Sequence, residues 1–564
     1  MDGRLRRWGL LAGQGVVLSL GAGVLLFYVN RLFGELPLYA GDEGAYLIRA
    51  LYARQLAFDP GRYQMVQPVA NTLYFAIIRL VDDLSLNVIP WMRLIGAASY
   101  FGGLALLYSI AVKECGRKVA LGFLLIAAVF PYYRFAFSAM PDGVYAGLLC
   151  LIAFVVYRTF LSRPLLGAVL VGGLSGALVL VKPHGVVVVA AYAALCLVDT
   201  LVRRAGLLPL LGRLALFGLA FLTIGVGVEL ADGQPLSQAI SFFRGSAYAE
   251  HLGHATAVNA WGVAALSATS MTALTAIFVA VPLIAAATVM LRERGPGQLD
   301  SADLAFLFVA LCLAATLAMV TIFSFKMAVL ETETRRLWGR YFEFYVPMLW
   351  LLAARPLSAW ERSSTLRRRG LVAGAILVGL AGLLGALALG VRLNPWDGTA
   401  ITAFASPDVV RFPFGYVGGS RLVAILATLA IALATLAGVS VRRAWPAYFV
   451  VLGLLSTRAD DAWVGEFAQR SRTIEHELHV AGALILDVAG PTVVIVNDGN
   501  DGHIAFLRLK GRVTVRATPP GPLAERPLRN ARSAIVFGDR TPGAGWRKVF
   551  SGRELAAYVR EPTT

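Results

Sequence analysis

The sequence predicts an α-helical polytopic membrane protein of about 13 transmembrane helices, with interfacial helices in its first external loop and a small C-terminal α/β extracytoplasmic domain. Three observations predict it. Of 564 residues 58% are hydrophobic and only 15% charged, too few charges for the surface of one soluble domain of this size. The apolar residues come in blocks long enough to cross about 30 Å of hydrocarbon. After about residue 458 the pattern changes to short alternating runs closed by turns.

Spanning blocks fall at roughly 8–29, 88–112, 119–138, 143–161, 165–181, 185–202, 207–229, 264–291, 303–325, 342–356, 371–391, 421–440 and 444–457. The first follows Met1 to Arg7, a start that imitates a signal peptide, but no small-residue cleavage site precedes Tyr28 to Arg31, so it reads as a retained helix. Basic clusters occupy alternate connections: Arg4 to Arg7, Lys113 to Lys118, Arg158 to Arg163, Arg203-Arg204, Arg292 to Arg294, Arg362 to Arg369 and Arg442-Arg443. All lie on one side if the N-terminus is cytoplasmic. The long connections at 30–87, 230–262, 326–341 and 392–420 then share the other side with the tail, which makes that side the place for a site. Residues 1–457 form the expected membrane domain and 458–564 the soluble one.

In the tail, Pro491 to Val496, His503 to Leu509, Val513 to Ala517 and Ser533 to Phe537 read as short strands. No catalytic motif stands out there, and a lid or glycan-binding platform is the plainer expectation. The net charge of +17 does not point to nucleic acid, because the basic residues sit in short clusters between apolar blocks without interleaved aromatic platforms. Cys115, Cys150, Cys196 and Cys312 lie in or beside apolar blocks with no metal or redox spacing, which argues against a disulfide framework.

Four features could carry chemistry. Gly41-Asp42-Glu43-Gly44 puts two carboxylates at the membrane boundary, ahead of an amphipathic stretch running from Tyr46 to Phe58 that suggests an interfacial helix. Asp42 and Glu43 also suit a plain helix start. Lys326, Arg335, Arg336 and Arg340 violate the positive-inside rule on the expected external side, where Arg and Lys are natural phosphate ligands. An ion-pair network with Glu331, Glu333 and Glu343 would also account for them. Lys182-Pro-His-Gly185 and Arg93 add cations near external helix ends, and boundary charges are functional candidates. Ser138 to Gly143 brings Asp142 to a tight external turn, a role Pro-Asp-Gly serves on its own. His251 and His254, and His476 and His479, are spaced three apart but do not match His-Glu-x-x-His.

In order and sidedness, the Gly-Asp-Glu motif, interfacial helix, Asp142 loop, Lys182-Pro183 and Arg340-Tyr341 to Pro347 resemble the GT-C superfamily of membrane glycosyltransferases. The nearest-looking branch contains bacterial protein O-mannosyltransferases and the lipid A aminoarabinose transferase. The resemblance covers roughly residues 1–457 and implies a multi-pass protein of the bacterial inner membrane. It also implies transfer of one sugar, with inversion, from a polyprenyl-phosphate donor to a glycan, lipid or protein acceptor. By motif position Asp42 is the base, Glu43 its neighbour in positioning the reactants, and Lys182, Lys326, Arg335, Arg336 and Arg340 the ligands of the donor phosphate. Asp142, Tyr46, Arg93 and Tyr341 are candidate substrate contacts. Gly44 and Gly143 depart from the larger residues often found after the two acidic positions. No cofactor is certain; some relatives use a divalent metal ion near the acidic loop, and metal is left open. The rival readings are a transporter or flippase of lipid-linked glycan, against which stand the boundary acids and the absence of a visible repeat, and an oligosaccharide ligase.

Overall fold

The structure, a computed structural model, describes residues 21–23, 25–26, 42–58, 71–130, 132–244, 260–290, 299–326, 335–363, 365–391, 393, 398, 400–404, 421–440, 445–486, 490–497, 499–518 and 528–561. After the helical residues 21–23 and 25–26 come α1 (Asp42–Phe58) and α2 (Thr72–Asp83), both too short and too charged to span. On α2, Tyr74, Ile78 and Val81 share one buried face at helical spacing. The bundle continues with α3 (Val88–Cys115), α4 (Arg117–Val129), α5 (Asp142–Thr159), α6 (Pro164–Val181), α7 (Val187–Arg203) and α8 (Leu207–Ala231). It is completed by α9 (Ala260–Thr288), α10 (Ser301–Lys326), α11 (Tyr345–Leu352), α12 (Ala354–Ser363), α13 (Leu366–Ala388), α14 (Arg421–Ser440) and α15 (Trp445–Ile485).

Among the described residues eight helices are long and apolar enough to cross a membrane: α3, α5, α6, α7 with the turn before it, α8, α9, α10 and α13. Their outward faces carry exposed leucines, such as Leu208 at 81% and Leu219 at 64%, an exposure that lipid tolerates and water does not. The protein is a multi-pass membrane protein.

Two expected spans are broken instead. The block at 119–138 stops after 13 residues of helix, because Phe130 precedes a proline and takes an extended conformation (φ −69°, ψ 125°). The block at 342–356 divides at Ala353 into α11 and α12, since Pro356 offers no N–H to the carbonyl of Leu352. The helices near 425 and 447 are apolar but short, and most of the expected first span lies outside the described residues.

Small residues let helices touch where lipid gives no hydrophobic drive for association. Gly143 of α5 lies on Gly96 of α3, where a Cβ would sit 2.6 Å from the Gly96 carbonyl oxygen, and Gly147 and Gly103 continue that seam. At one end of the bundle Arg355 gathers Glu114 (2.6 Å), Asp300 (2.7 Å) and Asp303 (2.8 Å). Arg203 and Arg213 share Asp199 on the same helix end. These belong to or adjoin the basic connections that the sequence placed on one side. Helices α1 and α2 lie at the opposite end, where Thr72 donates to Glu229 of α8 (2.6 Å).

Helix α15 runs unbroken for 41 residues, so the division expected at residue 457 falls inside one continuous helix. Beyond it β1 (Thr492–Val496), α16 (Gly499–Arg508), β2 (Val513–Ala517), β3 (Ser533–Phe537), β4 (Trp546–Ser551) and β5 (Leu555–Arg560) form a sheet of order β2-β1-β3-β5-β4. Strand β1 is parallel to β2 and β3, and β5 is antiparallel to β3 and β4. The segment His503 to Leu509, expected as a strand, lies in α16 and the turn after it. Joining parallel β1 and β2 requires a crossover, and α16 supplies it, with Ile504, Ala505, Phe506 and Leu509 buried.

Candidate active site

The first turn of α1 carries the acidic pair. Helix α1 starts at Asp42, whose side chain lies outside the described part of the structure, and Glu43 follows with no solvent exposure. The Glu43 carboxylate accepts a fork from Arg93, Nε to Oε1 and Nη2 to Oε2 at 3.1 Å each, and the Ala139 N–H at 2.7 Å. Arg93 sits in the second turn of α3, and Ala139 in the connection before α5. One side chain therefore ties three elements, through charge-assisted bonds that a buried carboxylate requires.

The second acid is paired as well. Asp142, the first residue of α5, accepts from Lys182 Nζ at 2.7 Å, and both are buried. Lys182 caps the end of α6 in an extended conformation (φ −154°, ψ 124°), where the chain leaves the helix for the 3₁₀ turn Pro183–Val186. Asn71 braces that corner by donating to the Val181 carbonyl. Tyr74 lies beside both acids: burial, then the charges of Glu43 and Asp142, push its phenol well above the ordinary range.

Tyr341 is the hub of the cations. The Lys182 ammonium stands 5.2 Å and the Arg340 guanidinium 5.4 Å from its ring centre, and the His184 ring stacks on it at 4.5 Å with 22° between planes. The 3₁₀ turn Gly339–Tyr341 presents Arg340 and Tyr341 together. Glu343 is fully buried beyond it and accepts the Ala400 N–H at 2.8 Å. Gly398 lies so close that a Cβ there would sit 2.6 Å from the Glu343 Cδ and 2.8 Å from the Arg340 backbone nitrogen.

The structure thus brings together Glu43 with Arg93, Asp142 with Lys182, and Lys182 with Arg340 and Tyr341. The other candidates are not in these pairs. Arg336 covers the Trp338 ring at 4.3 Å, and Arg335 is exposed, in a left-handed conformation (φ 59°) beside Gly390. Lys326 ends α10 half-buried. Tyr46 packs edge-on against Tyr74 at 5.9 Å, within the core. Glu331, Glu333, His251 and His254 lie outside the described residues.

His184, Tyr74, Asn71 and Arg49 were not among the sequence candidates. His184 had a signal in its place beside Lys182. Arg49 lies on α1, where burial pulls its guanidinium down to about 10, still a cation at neutral pH. Gly44, read as a departure, has a cause: a Cβ there would sit 2.5 Å from the Cβ of His503 on α16. Among the described residues no three His, Cys, Asp or Glu side chains converge as a metal site. An apolar cavity of about 460 Å³, lined by residues including Val186, Val189, Phe217, Phe221 and Phe243, opens between α7 and α8, close in sequence to His184.

No protein-family model matches the chain, and no curated protein sequence matches it. Solved structures do. The crystal structure of ArnT from Cupriavidus metallidurans in the apo state is similar to it with a TM-score of 0.54 at 15% identity, covering 98% of this chain and 100% of that one. ArnT from the same organism bound to undecaprenyl phosphate gives the same TM-score and identity over 97% and 99%. The Archaeoglobus fulgidus oligosaccharyltransferase in its apo form matches more loosely, with a TM-score of 0.41 at 13% identity over 89% of this chain and 64% of that one. A likeness to ArnT that runs through both the membrane bundle and the tail is one of architecture, and it shows a shared fold.

Proposed function

We propose that this protein is an inverting glycosyltransferase that moves a single sugar, a hexosyl or pentosyl group, from a polyprenyl-phosphate donor to an acceptor hydroxyl or amine. The acceptor is a cell-envelope glycan, a lipoglycan, lipid A or a protein, reached on the extracytoplasmic face of a bacterial inner membrane with the N-terminus cytoplasmic. The observation that carries the reading is the grouping of Lys182, His184 and Arg340 around Tyr341, joined through Asp142 to the end of the bundle where the Glu43–Arg93 pair lies. It gains support from a fold shared with ArnT, which has been crystallised with undecaprenyl phosphate. The apolar cavity between α7 and α8, whose lining includes Val186 two residues after His184, is of a kind that suits a polyprenyl chain.

In the proposed step the acceptor oxygen or nitrogen attacks the anomeric carbon. The bond from that carbon to the phosphate oxygen breaks with its electron pair on the phosphate, and the acceptor proton passes to the base. Both Glu43 oxygens are engaged by Arg93 and one also by Ala139, so the base falls to Asp42 and Glu43 positions the helix start that carries it. Lys182 has three donors, so it can keep Asp142 and still meet a phosphate oxygen, with Arg340 as the second cation. Arg335, Arg336 and Lys326 would act further out along the same path, and Arg93 and Tyr341 through the groups they hold. A divalent ion at the acidic pair would have to compete with Arg93 for Glu43, and no metal enters these steps. In this reading residues 1–457 form the catalytic membrane domain and 458–564 the extracytoplasmic one.

The test is incubation of purified protein with a panel of polyprenyl-phosphate sugars and candidate acceptors, following release of polyprenyl phosphate. One donor should be consumed by the wild type and left intact by Asp42→Asn, while donor binding persists. Turnover by Asp42→Asn within a few-fold of wild type removes Asp42 from the role of base.

A further inference from the structure

We infer that the C-terminal domain is a working part of the acid site: through His503 on Gly44 it sets the position of the helix start that carries Asp42 and Glu43, and His503 is a positioning residue. The inference deepens the transferase reading and rests on it.

Three contacts run along one face of α1. At its first turn Gly44 receives His503 so closely that a Cβ there would meet the His503 Cβ at 2.5 Å. Further along, Tyr52 meets Phe506 edge-to-face with ring centres 5.2 Å apart, and Gln55 donates to the Gly511 carbonyl at 3.0 Å. Gly511 is left-handed (φ 65°), and a Cβ there would press on Tyr52 at 2.9 Å. Residues 44, 52 and 55 share a helix face by the 3.6-residue repeat, so α16 and the turn after it form one continuous seat.

The seat is itself fixed. Arg470, on the part of α15 beyond the expected span, forks onto Asp501 at the start of α16, with both bonds at 3.0 Å, and reaches Glu554 at 3.1 Å. Arg508 at the other end of α16 pairs with Glu475 of α15 at 2.7 Å. Glu477 accepts three backbone N–H groups from Arg553, Glu554 and Leu555. Helix α15 grows from the bundle without a break. The bundle therefore holds α1 twice, directly through Arg93 on Glu43 and by way of α15 and α16 through His503 on Gly44, one residue away. A carboxylate held between two such supports is preorganised, and misplacement of a reacting group by about 1 Å is enough to cost a hundredfold in rate.

The test is a size swap. Gly44→Ala pushes α1 off α16, and His503→Gly removes the opposing Cβ. Alanine is the better helix former, so a loss in Gly44→Ala cannot come from helix propensity. Gly44→Ala should lower kcat by about tenfold to a hundredfold while donor KM stays within about twofold, and amide exchange across residues 42–58 should speed up. Gly44→Ala with His503→Gly should recover most of both. Wild-type kcat and exchange in Gly44→Ala, or a double variant no better than Gly44→Ala, overturns the inference. The exchange readout does not depend on turnover. A wild-type protein that consumes no polyprenyl-phosphate sugar therefore sinks the transferase reading, while exchange still decides the docking.

Discussion

Replacing Arg93 with Ala tests whether the buried pair, rather than general packing, holds the acidic end of the bundle. Two guanidinium bonds of 3.1 Å reach a carboxylate with no solvent exposure. Hydrogen bonds to charged groups contribute about 1.5–3 kcal/mol each, so their loss removes roughly 3–6 kcal/mol before relaxation. Stripping one partner from a buried pair typically destabilises by about 3–5 kcal/mol, because the other charge is left behind. The Ala139 N–H remains, which favours the lower half of that range. The assay is chemical denaturation of the detergent-purified protein, with Glu43→Gln and the double variant completing a cycle. The double variant should be less destabilised than the sum of the single ones by at least about 2 kcal/mol, since it removes the stranded charge. Arg93→Lys, which keeps the charge and loses the fork, should fall between wild type and Arg93→Ala. A midpoint for Arg93→Ala indistinguishable from wild type would refute the claim that Glu43 is anchored by this pair.

Two further outcomes follow from the cation cluster and the loop behind it. Arg340→Ala should weaken binding of polyprenyl phosphate by roughly ten- to a hundredfold, the loss of about 1.5–3 kcal/mol of charge-assisted bonding. Unchanged affinity in a lipid-binding assay would remove Arg340 from the donor site and leave it a structural role. Gly398→Ala should destabilise by about 1–3 kcal/mol through overpacking against Glu343 and Arg340, seen as a lower denaturation midpoint. A wild-type midpoint would mean that the loop yields freely.

The fold was legible wherever length and apolarity alone decide it. Helices α3, α5 to α10 and α13 appear within a few residues of the expected blocks, because a lipid-facing helix must be apolar for its whole crossing. The misreadings share a cause, which is that hydropathy is blind to backbone geometry. Prolines ended helices inside two apolar blocks. The run Ile504 to Leu509 has the composition of a strand, but the parallel pairing of β1 with β2 needs a helix between them, a tertiary demand invisible in the run itself. Strand β4 escaped notice because none of it is fully buried and it carries Arg547 and Lys548; β5, buried from Leu555 to Tyr558, was missed without that reason.

At the site the residue types were legible and their partners were not. Arg93 and Lys182 look in sequence like surplus cations at a membrane boundary. Folding spends them on Glu43 and Asp142, which lie 50 and 40 residues away along the chain. Sequence alone does not separate a boundary cation that neutralises a buried acid from one that would bind the donor phosphate in the proposed reaction. The structure shows where each stands: Arg93 pairs with Glu43, Arg340 lies against the Tyr341 ring, and Lys182 faces both Asp142 and that ring. The glycines invert the lesson. Gly44 and Gly143 looked like weakenings of an acidic motif, yet each is the place where another segment, α16 or α3, presses against the acid-bearing turn. A small residue beside a catalytic-type acid is then a sign of close support, and the missing side chain makes room for the group that holds the acid in place.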